Sequence, residues 1–164
     1  MTYYLIIRGP LGIGKTTIAK SLAEKLGAKH ISVDRIVDDP KLITRELEQG
    51  YISQNNFLQA NKIVAPRAIK YLGRGIPVIF DGNFYWKSQI NDLISRLNYP
   101  HYVFTLKAPL SVCIKRDADR DKTHGKDAAE AVYRKSTSFD YGNLIDTENK
   151  TPEQVIEEIR GYIK

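Results

Sequence analysis

Short apolar runs alternate along this chain with longer stretches in which apolar residues recur every three or four positions. The short runs are rich in β-branched and aromatic residues, which predicts strands at residues 3–7, 29–33, 77–81, 101–106 and 143–147. The longer stretches predict helices at residues 16–26, 57–73, 88–97, 109–120, 128–136 and 151–163. Strands that alternate with helices form parallel βαβ units, so the pattern predicts an α/β fold with a parallel sheet between layers of helices.

Residues 34–56 carry the least regular pattern of the chain. They mix charged residues, an acidic pair and a polar stretch without a sustained period. Binding residues concentrate in loops that a rigid scaffold positions, so we expect a mobile segment on the substrate side of the fold. Pro66 is expected to bend the helix at 57–73, because proline lacks the backbone N–H that a helix interior uses.

Length and composition narrow the class of protein. A chain of 164 residues is most simply one domain, spanning 1–164, and is long enough to bury a sizeable core. Cys113 is the only cysteine, which excludes a disulfide framework and a cysteine-based zinc site. No apolar run approaches the roughly 18 residues of a membrane span and the N-terminus lacks a signal-peptide pattern, so we expect a cytoplasmic protein without a membrane partner. The net charge of +6 fits a polyanionic partner such as a nucleotide or nucleic acid, or a basic proteome background.

The stretch RGPLGIGKTT, at residues 8–17, concentrates glycine in front of a lysine and two hydroxyls. Residues 9–16 match the pattern G-x-x-x-x-G-K-[ST] between a predicted strand and a predicted helix, which is the context that this phosphate-binding loop requires. The alternative is a glycine-rich turn that only caps the helix.

A loop of this kind binds Mg-ATP. Its backbone N–H groups point at phosphates, Lys15 reaches the β- and γ-phosphates, and the Thr16 hydroxyl holds Mg²⁺. The motif therefore predicts a site for ATP and Mg²⁺, with Lys15 as a catalytic residue. The predicted ATP-binding residues of the loop are Gly9, Leu11, Gly12, Ile13, Gly14, Lys15, Thr16 and Thr17.

Asp34 follows the second predicted strand. The helix at 16–26 runs about 16 Å away from the loop, and the strand at 29–33 returns by about 16 Å. Asp34 should therefore emerge level with the loop, at the edge where open α/β sheets bind ligands. A carboxylate there can accept the proton of an attacking hydroxyl, which makes Asp34 a candidate catalytic base. The alternative is a cap for residues 35–38.

Asp81 ends the third predicted strand in the same way. An acid at this point suits a Walker-B-like role beside Mg²⁺, so the predicted metal residues are Thr16 and Asp81. Asn83 is placed to bind substrate or to brace a loop. The sequence Asp81-Gly82-Asn83 is also typical of a turn, which is the alternative for Asn83.

Arg116 and Arg120 lie four residues apart, hence on one face of a predicted helix. We expect them to belong to a small lid, at about residues 115–136, that closes over ATP and stabilises transition-state charge. Arg116 is thus a predicted ATP-binding residue as well as a catalytic one. The alternative is a solvated helix whose arginines pair with Asp117 and Asp119.

These segments together resemble the P-loop kinases. The likeness rests on the P-loop, on Asp34, on the segment DGN at 81–83 and on APLSVCIKRDADR at 108–120. It is strongest to the AAA_33-type group that contains polynucleotide 5′-hydroxyl kinases, with relatives among adenylylsulfate, gluconate and shikimate kinases, and runs from about residue 3 to 163. The resemblance implies a P-loop NTPase three-layer sandwich around a five-stranded parallel sheet of order 2-3-1-4-5.

The resemblance also implies roles for individual residues. In polynucleotide kinases an Asp after the second strand is the general base, an Asp-x-Asn segment follows the third strand and an Arg-x-x-x-Arg lid follows the fourth. Asp34, the segment 81–83 and the pair in segment 116–120 fit those positions. Those kinases usually carry an arginine three residues after the base, where this chain has Val37, and Arg35 is the nearest basic residue. The predicted substrate-binding residues are Asp34, Arg35 and Asn83.

The predicted activity is transfer of the γ-phosphate of Mg-ATP to an acceptor alcohol. The acceptor stays open between a polynucleotide 5′-hydroxyl, a small molecule like those of the gluconate, shikimate and adenylylsulfate kinases, and a nucleoside or nucleotide. The rival of another class is a regulatory protein that binds ATP without catalysis. A GTPase is disfavoured, because the segment NKIV at 61–64 lacks the Asp of the base-reading motif Asn-Lys-x-Asp.

Overall fold

The computed structural model describes residues 1–119 and 125–164, which form a three-layer α/β sandwich. The strands are β1 (Tyr4–Arg8), β2 (Lys29–Ser32), β3 (Leu47–Glu48), β4 (Tyr51–Ile52), β5 (Val78–Gly82), β6 (His101–Lys107) and β7 (Asn143–Asp146). The helices are α1 (Lys15–Leu26), α2 (Val33–Val37), α3 (Gln54–Leu72), α4 (Lys87–Leu97), α5 (Leu110–Ala118), α6 (Lys126–Ser136) and α7 (Pro152–Tyr162).

The central sheet has five parallel strands in the spatial order β2-β5-β1-β6-β7. Counted within this sheet alone, the order is 2-3-1-4-5, which confirms the prediction. The labels differ from that count because β3 and β4 form a separate antiparallel hairpin that the hydrophobic pattern did not predict.

Side chains of each central strand alternate between two hydrophobic cores. Tyr4 and Ile6 of β1 enter the core that α2, α3 and α4 cover, whereas Leu5 and Ile7 enter the core that α1 and α7 cover. All five residues of β1 and all five of β5 are buried, as expected for strands with helices on both faces. The two cores hold the carboxyl ends of the strands in one row, where the candidate site lies.

Residues 34–56 contain short elements that the sequence pattern did not predict. Val33 begins α2 instead of ending β2, because Val33 and Val37 are both buried one helical turn apart. The hairpin turns at Gln49 and Gly50, whose φ angles of 55° and 79° suit a two-residue β-turn. These elements are too short to show a period in the sequence, and α3 begins at Gln54, before the predicted start at residue 57.

Two further predictions concern Pro66 and the lid. Pro66 lies inside α3, which continues through it to Leu72. The predicted lid contains the end of α5 and all of α6, but Arg120 lies outside the described residues.

Among the helices of residues 1–119 and 125–164, none combines the length and the apolar character needed to cross a membrane.

Candidate functional site

The loop at residues 9–14 joins the end of β1 to the start of α1. Gly12 and Gly14 have φ angles of 77° and 101°, a region that favours glycine. A Cβ at Gly12 would lie 2.2 Å from the carbonyl oxygen of Cys113, so the loop packs directly against the backbone of α5. Lys15 is 8% exposed and its Nζ donates to the carbonyl oxygen of Pro10 at 2.9 Å.

The described residues around this loop form a concave site of about 360 Å³ in front of the N-terminus of α1. Its lining comes from Gly12, Gly14, Lys15, Thr16, Thr17 and Arg116, all of them predicted ATP-binding residues. Leu11 lines the neighbouring cleft instead, and Ile13 is buried at 2% exposure. Gly9 is buried at the end of β1.

The predicted metal residues are in contact. The Thr16 hydroxyl donates to Asp81 Oδ1 at 3.2 Å, and Asp81 is 1% exposed. The other carboxylate oxygen of Asp81 is paired with Nε2 of His30 on β2. A hydroxyl and a carboxylate are the hard oxygen ligands that Mg²⁺ takes alongside phosphate oxygens and water, so these two residues fit that ion.

Asp34 lies in the first turn of α2, beside the loop that follows β5. Its two carboxylate oxygens accept the backbone N–H of Asn83 at 3.2 and 3.1 Å. Burial raises the pKa of Asp34 to about 6; Lys15 and the Asn83 N–H oppose this rise, and the charges of Asp81 and Asp38 add to it. At neutral pH the group is an ionised carboxylate that readily takes a proton.

A cleft of about 650 Å³ opens from Asp34 and Lys15 between the hairpin and α6. Arg35 lines it, as predicted for a substrate-binding residue, and so does Asn83. Arg45 lines it too and pairs with Asp38 at 2.9 Å. The cleft therefore adjoins the phosphate site and has its own set of side chains.

The loop after β5 is held by a buried arginine. Arg8 is fully buried at the end of β1 and donates to the carbonyl oxygen of Phe84 at 3.2 Å, to Thr105 Oγ1 at 3.1 Å and to the carbonyl oxygen of Ser136 at 2.7 Å. Phe84 has a φ angle of 44°, a strained conformation for an aromatic residue. Burial lowers the pKa of Arg8 to about 10, which leaves it charged at neutral pH. Arg8 thus fixes the loop that carries Asn83.

Arg116 connects the P-loop to the segment after β7. It donates to Thr147 Oγ1 at 3.0 Å, to the carbonyl oxygen of Thr147 at 2.9 Å and to that of Ile13 at 3.4 Å. It also borders a second recess of about 240 Å³, with Thr17, Lys150 and Pro152 among its other lining residues. These contacts do not support the alternative of a freely solvated side chain.

The family follows from a sequence-family comparison. The model of the AAA_33 family, described as an AAA domain, matches residues 5–139, which is most of the chain. The chain belongs to the AAA_33 family. The matched residues contain the P-loop, Asp34, Asp81 and Arg116.

Relatives of this AAA_33 chain include named kinases. It is 28% identical to a shikimate kinase of Persephonella marina, with 98% of each chain covered. It is also 28% identical to a cytidylate kinase of Saccharolobus islandicus, with 80% of this chain and 66% of the relative covered. A sugar kinase structure from a Janibacter species superposes with a TM-score of 0.79 at 18% identity, covering 99% of this chain and 95% of that one, and so shares the fold. The fold and P-loop are thus those of P-loop kinases, which use ATP with Mg²⁺.

The residues that the sequence predicts for the site lie at one edge of the sheet. Three further residues beside them, His30, Arg45 and Arg8, were not predicted. The contact of His30 with Asp81 can be inferred only once the strand pairing is known. Ser32 pairs with Asp81, so His30, two residues earlier, lies diagonally beside Asp81 on the same face of the sheet. Arg45 precedes a hairpin that the hydrophobic pattern did not reveal. Arg8 stood inside the quoted P-loop stretch, but its partners lie 76 to 128 residues away.

Proposed function

We propose that this AAA_33 protein transfers the γ-phosphate of Mg-ATP to the hydroxyl of an acceptor that binds in the 650 Å³ cleft. One observation carries the proposal: the Asp34 carboxylate lines the same cleft as Lys15 and Thr16 of the P-loop. A kinase needs these two groups together, one to orient the nucleophile and one to meet the phosphate.

The P-loop residues divide the work on ATP. Backbone N–H groups of residues 12–17 and the N-terminus of α1 bind the phosphates, and Lys15 exchanges its bond to Pro10 for phosphate oxygens. Thr16 and Asp81 would hold Mg²⁺, which would neutralise phosphate charge. Arg116 lines the concave site together with the P-loop residues and binds the nucleotide there.

Asp34 acts on the acceptor. Its carboxylate accepts the hydrogen bond of the acceptor hydroxyl, and the hydroxyl oxygen attacks the γ-phosphorus. The bond from that phosphorus to the β,γ-bridging oxygen breaks, ADP leaves, and the hydroxyl proton passes to Asp34. The transition state is loose, so orientation of the hydroxyl contributes more than its deprotonation.

The acceptor is either a polynucleotide 5′-hydroxyl or a small alcohol. Val37, at the position where polynucleotide kinases usually carry an arginine, is 4% exposed and packs in the core. It cannot bind a substrate phosphate, which favours the small-molecule alternative. The names of the relatives, a shikimate kinase and a cytidylate kinase, agree with a compact acceptor.

The test is phosphate transfer from labelled Mg-ATP to a panel of 5′-hydroxyl oligonucleotides, nucleosides, sugar acids and neutral polyols. We expect a labelled phosphoester with one class of acceptor, and Lys15→Ala should lower its formation by orders of magnitude while the protein stays folded. Lys20→Ala, an exposed lysine on α1, is the matched control and should behave like the native protein. ATP binding without transfer to any acceptor would instead support the regulatory alternative.

A further inference from the structure

The charged side chains that line the acceptor cleft, called here the charged wall, balance in sign. Asp34, Asp38 and Asp81 are its acids, and Lys15, Arg35 and Arg45 are its bases. Arg45 Nη2 lies 2.9 Å from Asp38 Oδ1, so these two opposite charges pair with each other in the lining. Among the described residues, this wall offers an anionic acceptor no excess of positive charge.

The apolar part of the lining, called here the apolar wall, comes from the two elements that flank the cleft. Leu47 and Ile52 belong to the hairpin, while Ala128, Ala131 and Val132 belong to one face of α6. Leu47 is 69% exposed, although a leucine side chain gains stability when it is covered. A bound molecule with an apolar surface would cover it.

Of the two tyrosines that line the cleft, Tyr51 adds ring surface, whereas Tyr85 is only 3% exposed and supports the Tyr51 ring. The Tyr51 hydroxyl donates to the carbonyl oxygen of Ala131 at 3.3 Å, and the Tyr85 hydroxyl accepts the N–H of Ile52 at 3.0 Å. The two rings meet edge to face with centroids 5.6 Å apart. Aromatic surface held in this way packs well against the flat or apolar part of a ligand.

From these walls we infer that the acceptor is a small alcohol with an apolar or aromatic body and no net negative charge. The inference rests on the proposed function and names the class of substrate that the function leaves open. A hydroxyl on one side of such a molecule reaches Asp34, and its apolar side covers Leu47 and the α6 face. A sugar acid would leave that wall uncovered and would bring a carboxylate beside apolar groups, which is unfavourable.

Trp86, the only tryptophan of the chain, allows binding to be measured without catalysis. It is 8% exposed, donates to the carbonyl oxygen of Ile52, and lies with its ring centroid 3.5 Å from Nζ of Lys135 on α6. Its emission therefore responds to changes in both elements of the apolar wall. Acceptor affinities can be read from this emission in the presence of a non-hydrolysable ATP analogue.

The probes are matched pairs that differ in charge. We would titrate phenyl β-glucoside against phenyl β-glucuronide, cytidine against cytidine 3′-monophosphate, and methyl shikimate against shikimate, with methyl β-glucoside as a neutral probe of smaller apolar area. In the pair that binds most tightly, the neutral member should bind at least about tenfold better than the anion. Phenyl β-glucoside should also bind more tightly than methyl β-glucoside.

Leu47→Ser tests the apolar wall directly. It should weaken the best neutral probe about tenfold, in the range that removal of a few methyl groups from a binding pocket produces. Leu144→Ser is the matched control, because Leu144 is 46% exposed on the edge strand β7 and does not line the cleft. Both leucines are exposed, so neither substitution removes core packing.

The binding data and the transfer data separate the two proposals. Preference for the anionic member of the tightest pair, equal loss with both serine variants, or no emission change with any probe would overturn the acceptor class. Discrimination by charge and by Leu47→Ser, with no phosphate transfer to the bound probe, would instead overturn the proposed function and leave the binding preference established.

Discussion

The Asp34 carboxylate is subject to two opposing influences. Burial raises its pKa to about 6, while Lys15 and the N–H of Asn83 favour its charged form. Because the pKa lies above the ordinary value for Asp, the group binds a proton below pH 6 and loses it above. The proposed base would therefore be active at neutral pH and inactive in mild acid.

Asp34→Asn should lower kcat by roughly 10²- to 10⁴-fold, the effect of losing a positioned base. ATP affinity should change little, because Asp34 lines the cleft proposed for the acceptor. In the native protein, kcat/KM should fall below about pH 6, and this limb should be absent from the variant's residual activity. Asp39→Asn, a neighbouring acid that does not line the cleft, serves as the control in the same rate and affinity measurements. Normal turnover of Asp34→Asn would rule out the base role, and joint loss of ATP binding and turnover would place Asp34 beside Mg²⁺.

Single residues could be predicted where they belong to a motif of fixed spacing or directly follow an apolar strand. Lys15 and Thr16 follow from a motif of eight residues, and Asp34 and Asp81 from their places after apolar strands. His30 and Arg45 have no such spacing. Their contacts depend on strand pairing and on a hairpin, so only the assembled fold shows them.

At the level of elements, α5 sets the shape of the P-loop. Gly12→Ala should destabilise the protein by about 2–4 kcal/mol, because its Cβ would overlap the backbone of α5, 2.2 Å from the carbonyl oxygen of Cys113. Gly14→Ala should cost only about 1 kcal/mol, since a Cβ there has open space and only the φ of 101° is unfavourable. Urea unfolding of both variants measures the difference, and equal losses would contradict close packing of loop and helix.

The predicted lid includes Arg116, which lies on the same helix, α5. Arg116→Glu should raise the KM for ATP by more than tenfold, because it removes hydrogen bonds to Ile13 and Thr147 and places an acid near the phosphates. This effect exceeds the ~1 kcal/mol that a surface ion pair typically contributes. Lys115→Glu, exposed on the same helix, is the control. Constants within about twofold of the native protein for Arg116→Glu would assign it a structural role only. The matching role of Arg120, outside the described residues, stays a prediction.

Long elements were predictable and short ones were not. Strands and helices such as β6 and α4 agree with the sequence pattern to within one or two residues, because each repeats its period at least twice. Helix α2 has five residues and each strand of the hairpin has two, which is too few to establish a period. Those short elements line part of the cleft proposed for the acceptor.

For the molecule as a whole, part of the positive charge lies away from the cleft. Residues 49–80 contain no acid, and their cations Lys62, Arg67, Lys70 and Arg74 are exposed on α3 and in the turn after it. None of these four lines the acceptor cleft. The net charge of +6 therefore does not by itself identify the acceptor.

The salt dependence of kcat/KM tests whether these exposed cations take part in binding the acceptor. At saturating Mg-ATP, kcat/KM for the acceptor should stay within about twofold between roughly 50 and 200 mM salt, because a small neutral alcohol releases no counterions. A 5′-hydroxyl oligonucleotide bound through six or more phosphate contacts would lose about 10³-fold over the same range. A steep loss with an oligonucleotide that accepts phosphate would identify a polynucleotide substrate.

The buried guanidinium of Arg8 has a consequence for the lifetime of the folded protein. Its three hydrogen bonds join segments 76, 97 and 128 residues apart, and contacts across such long loops form late in folding. Arg8→Lys, which cannot keep all three bonds, should therefore speed unfolding about tenfold in stopped-flow experiments and leave the refolding rate within about twofold. Slower refolding would show instead that these bonds form before the barrier. The residue that fixes the Asn83 loop would then determine how long the native state persists and have little influence on how quickly it is reached.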